Sequence, residues 1–190
     1  MSDVIFLTHA EVEIDPAVPV PAWGLNAVGR ARHNRFASDA VLNDVGAVFS
    51  STERKAVEGA TPVAEARDVP LRQLGSLGEN DRSATGYLPP EEFWPVVAQF
   101  FTDPETSVRG WETARAAQNR IVSGVQTAVE AAPEEGDILI VSHGGVGTLL
   151  HCHLTGQEIT KDAGQPHSGG GCWFRFGRDL AGPPTDWSVI

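Results

Sequence analysis

Residues 138–145, Ile138-Leu139-Ile140-Val141-Ser142-His143-Gly144-Gly145, decide how this chain folds. An unbroken aliphatic run rich in β-branched residues is what a strand covered on both faces requires, and such strands belong to parallel sheets flanked by helices. The run closes on a serine and a histidine, and two glycines then turn the chain. Near the start, Val4-Ile5-Phe6-Leu7-Thr8-His9 repeats the arrangement. Each histidine therefore falls at the carboxyl end of a strand, where open α/β sheets bind their ligands. Two such strands would carry both imidazoles to one crevice.

Outward from these runs the pattern alternates strand and helix. Pro16, Pro19 and Pro21 make residues 14–23 an extended loop. A helix is expected over 25–43, a strand over 47–50, and a helix capped by Ser51 or Thr52 and running to about Ala66. Gly75 to Pro90 is rich in glycine and proline and is expected to be a functional loop. Pro90 starts a helix through Phe101, with Glu91 and Glu92 where the helix dipole favours them. Ala114, Ala117, Ile121, Val125 and Ala128 mark the buried stripe of a helix over 111–132. A helix to about Leu154 and a last strand at a sheet edge, Cys172 to Phe176, complete the series. The expected fold is one α/β domain, residues 1–190. It is a three-layer sandwich with a mostly parallel central sheet and helices on both faces.

Composition narrows the partners. The formal net charge is −11 and no Lys/Arg cluster interrupts it, which excludes a nucleic-acid or anionic-membrane partner. The two cysteines, Cys152 and Cys172, sit beside apolar residues as buried thiols do in a reducing compartment. The first residues carry no basic segment, and the apolar run after them is too short for a signal peptide or a membrane span. A cytoplasmic location is expected. His151-Cys152-His153 does not make a metal site, because residues two apart on a helix point in different directions. No metal and no cofactor are expected. His33 is expected to be solvated beside Arg30 and Arg32. Trp23 and Trp111 fall near the crevice rim, and Trp94, Trp173 and Trp187 are assigned to packing.

Five short elements carry a resemblance, and their order and spacing weigh more than any one of them. They are Leu7-Thr8-His9-Ala10-Glu11, Ser50-Ser51-Thr52-Glu53-Arg54-Lys55, Leu77-Gly78-Glu79, Gly110-Trp111-Glu112-Thr113 and Val141-Ser142-His143-Gly144-Gly145. Together they resemble the histidine phosphatase superfamily, also called phosphoglycerate mutase-like. The resemblance implies hydrolysis of a small phosphomonoester, a phosphoric monoester hydrolase activity that passes through a phosphohistidine. Such chemistry needs a nucleophile, donors for the equatorial oxygens and an acid for the leaving oxygen. His9 is the expected nucleophile. His143, if protonated, donates to a nonbridging oxygen. Arg54 offers a planar fork of donors at a helix start. Glu79 protonates the departing alkoxide. Thr8 and Gly144 are expected to touch the phosphate.

The departures from the family pattern are equally informative. An arginine usually precedes the first histidine, where Thr8 stands. Val12 replaces a polar residue and Asp15 an asparagine. Losing one preorganised donor costs about 2.7–4 kcal/mol of transition-state stabilisation. Arg30, Arg32, Arg35, Arg82 and Arg109 are the candidates to compensate. The alternative reading is a weak or inactive relative that binds an anionic ligand or a protein partner in the same cleft.

Overall fold

In a computed structural model, which describes residues 2–190, the chain alternates strand and helix almost throughout. Its elements are β1 (Asp3–Thr8), α1 (Ala27–Phe36), β2 (Val45–Ser50), α2 (Arg54–Arg67), β3 (Leu71–Gln73), α3 (Pro90–Thr102), α4 (Ala114–Ala131), β4 (Asp137–Ser142), α5 (Gly144–Thr155), β5 (Cys172–Gly177) and β6 (Ser188–Val189). The six strands form one sheet in the order β3-β2-β4-β1-β5-β6. The first four neighbours are parallel, and β5 and β6 are antiparallel additions on one side.

The strand sequences explain this division. β1 and β4 are buried along nearly their whole length, as central parallel strands must be. β5, Cys-Trp-Phe-Arg-Phe-Gly, alternates buried and half-buried positions as antiparallel strands commonly do. It is not the edge expected from sequence, because the two-residue β6 pairs outside it. Alternate residues of each strand feed two cores. Phe6, Phe49, Ile140 and Phe174 pack with α3, α4 and α5 on one face. Ile5, Leu7, Val48 and Val141 pack with the α1–α2 side on the other.

Several element ends differ from the sequence expectation, each for a local reason. α1 begins after Asn26, whose side chain accepts the Gly29 N–H, and it stops at Phe36. A separate short turn, Ala40–Leu42, follows, capped by the Asp39 carboxylate. α2 begins three residues after Ser51, and its N-cap position, Glu53, makes no side-chain cap. α4 begins at Ala114 because the Thr113 hydroxyl caps it through the Ala116 N–H.

The order of connections places the crevice. β1 and β4 are adjacent and in register, with Thr8 opposite Ser142. The chain leaves β1 through α1 toward one edge and leaves β4 through α5 toward the other, with the two helices on opposite faces. This is a topological switch point, which opens a cleft above the carboxyl ends of the two strands. His9 and His143 are the next residues along each strand.

Candidate active site

The two imidazoles meet as the strand register requires, with ring centroids 5.2 Å apart and planes at 67°. His9 Nδ1 lies 2.8 Å from the Ala10 carbonyl oxygen. A carbonyl only accepts, so the proton sits on Nδ1 and Nε2 carries the free lone pair. The Ala10 peptide is itself held, its N–H donating to His33 Nε2 at 3.0 Å. His33 is therefore buried behind the first histidine rather than solvated. Burial pushes the pKa of His9 down to about 4, with Lys55 adding to the effect and the Ala10 carbonyl opposing it. Burial, and then Arg32, push His33 down to about 4 as well. Both rings are neutral at neutral pH.

His143 is fully buried beneath the glycine turn. Its Nε2 lies 2.7 Å from Ser51 Oγ and 3.3 Å from Glu53 Oε1, and its buried Nδ1 has no partner among the described residues. Burial pulls its pKa down to about 3, while the Glu53 carboxylate works in the opposite direction. Glu53 also bonds to Lys55 Nζ and accepts the Glu79 N–H at 2.9 Å. Burial opposes its charge, but His143, Lys55 and the Glu79 amide outweigh that and hold its pKa at about 2. Glu53 is thus the anion that joins the second histidine, a buried lysine and the acid loop.

Glu79 meets the N-terminus of α5. Its Oε2 accepts Gly145 N–H at 3.0 Å, and its Oε1 accepts Val146 N–H at 3.0 Å and Asn80 N–H at 3.1 Å. A Cβ at Gly145 would stand 2.6 Å from Glu79 Oε1, so glycine is what lets the carboxylate approach. The loop that bears Glu79 is clamped from below. The Arg120 guanidinium on α4 donates to the carbonyls of Ser76, Gly78 and Glu79 and pairs with Glu112.

Two expected phosphate ligands stand elsewhere. Arg54 is the first residue of α2, with a side chain 61% exposed and paired with Glu58 at 2.7 Å, outside the crevice. The next residue, Lys55, turns inward instead and lines the crevice at 3% exposure. Besides Glu53 it bonds, among the described residues, only the Val20 carbonyl, at 3.0 Å. Thr8 is fully buried and faces sideways. Its hydroxyl lies 2.6 Å from Gln165 Oε1 and accepts Cys172 N–H at 3.0 Å. Gln165 lines the crevice, and its Nε2 would lie 2.7 Å from a Cβ at Gly144. Thr8 therefore reaches the crevice through Gln165, while Gly144 lines it directly.

Of the five arginines named from sequence, Arg82 lines the crevice. Arg30 pairs with Glu58 and Arg109 with Glu92. Arg32 is consumed by Glu11 and the Gly170 and Gly171 carbonyls, and Arg35 lies on the exposed side of α1. The sequence signal for Lys55 was its lysine character within an otherwise apolar helix face. Gln165 and Glu53 gave no comparable signal. The crevice encloses about 520 Å³. Among the described residues, no group of three or more His, Cys, Asp or Glu side chains gathers to hold a metal ion, and no helix is long and apolar enough to cross a membrane.

Comparison with known proteins places the chain in a family and matches its fold. The model of the histidine phosphatase superfamily, branch 1, matches residues 7–176. No curated protein matches the sequence. Among solved structures, a mycobacterial glucosyl-3-phosphoglycerate phosphatase in complex with VO3 superposes with a TM-score of 0.80 at 19% identity, covering 100% of both chains. The YhfR protein of Bacillus stearothermophilus gives 0.76 at 21% identity, covering 92% of this chain and 90% of that one. The alpha-ribazole phosphatase of Shigella flexneri gives 0.65 at 19% identity, covering 91% and 89%.

Proposed function

Because the chain belongs to the histidine phosphatase superfamily, branch 1, we propose that it hydrolyses a small phosphomonoester through a phosphohistidine on His9. One observation carries this reading. The Ala10 carbonyl fixes the His9 proton on Nδ1, which leaves a nucleophilic Nε2 beside a second buried histidine. The solved structures with the same fold include proteins named as a glucosyl-3-phosphoglycerate phosphatase and an alpha-ribazole phosphatase. Both cysteines are unpaired and buried, which fits a reducing cytoplasmic compartment.

The chemistry runs in two displacements. His9 Nε2 attacks phosphorus, a P–N bond forms, and the ester P–O bond breaks with its electron pair going to the leaving oxygen. That oxygen takes a proton from the Glu79 carboxyl. Oε2 suits the role, since it accepts one amide where Oε1 accepts two. Water then attacks the phosphohistidine, gives its proton to Glu79, and the P–N electrons return to His9. Inorganic phosphate and an alcohol leave, and the enzyme is regenerated.

Three donors stand for the equatorial oxygens in place of the usual arginines. Lys55 uses two of its three protons on Val20 and Glu53, leaving one for phosphate. Gln165 gives its carbonyl to Thr8, which frees its amide protons. His143 Nδ1 has no other partner among the described residues. An arriving phosphate dianion, together with Glu53, favours protonating this ring, so both ring nitrogens then donate.

Hydrolysis of p-nitrophenyl phosphate by the wild type and by His9→Ala tests the reading. The wild type is expected to turn over and His9→Ala to lose at least about a thousandfold, the scale of removing a nucleophile. Rapid alkaline quenching of the wild type should trap a phosphoryl adduct on His9 that acid removes. Absence of turnover by the wild type on this ester and on a range of alkyl phosphates would overturn the proposal in favour of an anion-binding relative.

A further inference from the structure

The crevice lining is chemically mixed, with the phosphate machinery on one stretch and an aromatic stretch on another. The inner end carries His9, Lys55, Glu79, Gly144 and Gln165. The aromatic stretch is presented by Phe93, Trp94 and Val97 of α3, backed by Phe100 and Trp111, which are buried in the core, while Asn80, Lys161, His167 and Ser168 line the crevice elsewhere. Trp94 is 58% exposed, although it stands in T-shaped contact with Phe93 at a centroid distance of 5.1 Å. An indole left this open at the mouth of a cavity is an unfilled contact surface, and the sequence assignment of Trp94 to packing does not hold.

Arg82 adds a second feature to this wall. Its guanidinium carbon lies 5.3 Å from the Phe93 ring centre and 5.7 Å from that of Trp111. These are cation–π distances. Arg82 forms no ion pair among the described residues, and its guanidinium lies over these two rings. Trp23, which also lines the crevice, donates its indole N–H to the carbonyls of Asp15 and Val18 and packs against Tyr87. Its carbon face is what remains for the crevice. A volume of about 520 Å³ falls in the range of pockets that enclose whole small molecules, not a phosphate alone.

We infer that the enzyme selects phosphomonoesters whose alcohol carries a flat apolar ring, seated against Trp94 and Phe93 while the phosphate rests at His9. The inference rests on the phosphatase reading for what happens at the inner end, but the ring site is a binding property that can be read without turnover. Polar partners such as Lys161, His167 and Ser168 stand elsewhere in the lining, but against the Phe93 and Trp94 rings a hydroxyl has none, and unpaired polar groups are costly to bury. A planar ring instead finds edge-to-face and stacking partners.

Phosphonates test this directly, since the P–C bond is not hydrolysed. Dissociation constants for 2-phenylethylphosphonate and ethylphosphonate, measured by calorimetry on the full chain, should favour the phenyl compound by at least about tenfold, the scale of filling an apolar pocket. Trp94→Ala should narrow that ratio, and Trp94→Phe should restore part of it. Trp94 is exposed, so neither variant removes a core side chain. Equal affinities in the wild type, tighter binding of the ethyl compound, or a ratio unmoved by Trp94→Ala would overturn the inference. Turnover of the matching phosphates is a separate readout. Both leave primary alkoxides of similar reactivity, so failure of both sinks the phosphatase reading, whereas the phosphonate ratio alone decides the ring site.

Discussion

Thr8 shows how a single side chain can change its task without leaving its position. It ends β1 with its hydroxyl bonded to Gln165 and to the backbone of Cys172. The residue thus pins β5 to β1 and orients a crevice amide, rather than touching phosphate itself. Thr8→Val keeps the shape and removes both bonds, leaving the buried Cys172 N–H without an acceptor. Loss of about 1–3 kcal/mol in unfolding free energy is expected by urea titration, the usual cost of an orphaned buried donor. Inorganic phosphate should also inhibit less well, because Gln165 is no longer held. A variant of unchanged stability and unchanged phosphate inhibition would refute this account of Thr8. Residue assignments of this kind were only partly legible. Sequence placed both histidines by the strands that precede them, and strand register is rigid. It missed the exchange of Arg54 for Lys55 because successive helix residues diverge by about 100°. Only the docked helix decides which of the two faces inward.

At the scale of elements, the start of α5 is where geometry and stability are set against each other. Gly144 and Gly145 are poor helix formers, and alanine would raise helix propensity by up to about 1 kcal/mol at each. Yet a Cβ at Gly145 would collide with Glu79, and one at Gly144 with Gln165. Gly145→Ala should therefore leave stability near that of the wild type, and it should lower kcat by about a hundredfold or more, the contribution of a positioned general acid. The loss should be smaller for p-nitrophenyl phosphate than for an alkyl ester, because a stable phenolate needs less help to depart. Equal losses on the two esters would show that Glu79 is not the proton donor. The helices themselves were legible from apolar spacing, whereas the cap expected at Ser51 or Thr52 is replaced by Glu53 at the N-cap position of α2. Their ends were not, because α1 stops where Asp39 opens a separate turn and α4 waits for the Thr113 cap. Glu53 was invisible for another reason. Its three partners come from α2, from the loop before α3 and from the residue that follows β4, and no spacing along the chain announces that meeting.

Across the whole molecule, the parallel core was legible because β1 and β4 are apolar runs that leave no other arrangement, whereas the two-residue β6 is too short to leave a pattern. The same core dictates how stability responds to acid. His9 and His33 have pKa values of about 4 in the fold and His143 about 3, all lowered chiefly by burial. An unfolded chain returns each to about 6.5. Between about pH 6.5 and pH 4 the unfolded state therefore binds more protons than the native state, and stability rises with pH through that window. Acidification removes it, at up to about 4 kcal/mol per pH unit where all three rings count, since each proton contributes about 1.4 kcal/mol per unit. Glu53 acts in the same direction but lower, because its pKa of about 2 lies below the ordinary carboxylate value and its stabilisation is lost only as pH falls from about 4.5 to 2. Urea midpoints should thus be level from pH 8 to 7 and fall steeply from about 6.5 to 4. His33→Gln, whose amide oxygen can accept the Ala10 N–H, should remove one proton from that slope while His9 keeps its carbonyl partner. A midpoint that stays level down to pH 4.5 in the wild type would mean that the three rings are not buried neutral, and the tautomer argument for His9 would lose its footing.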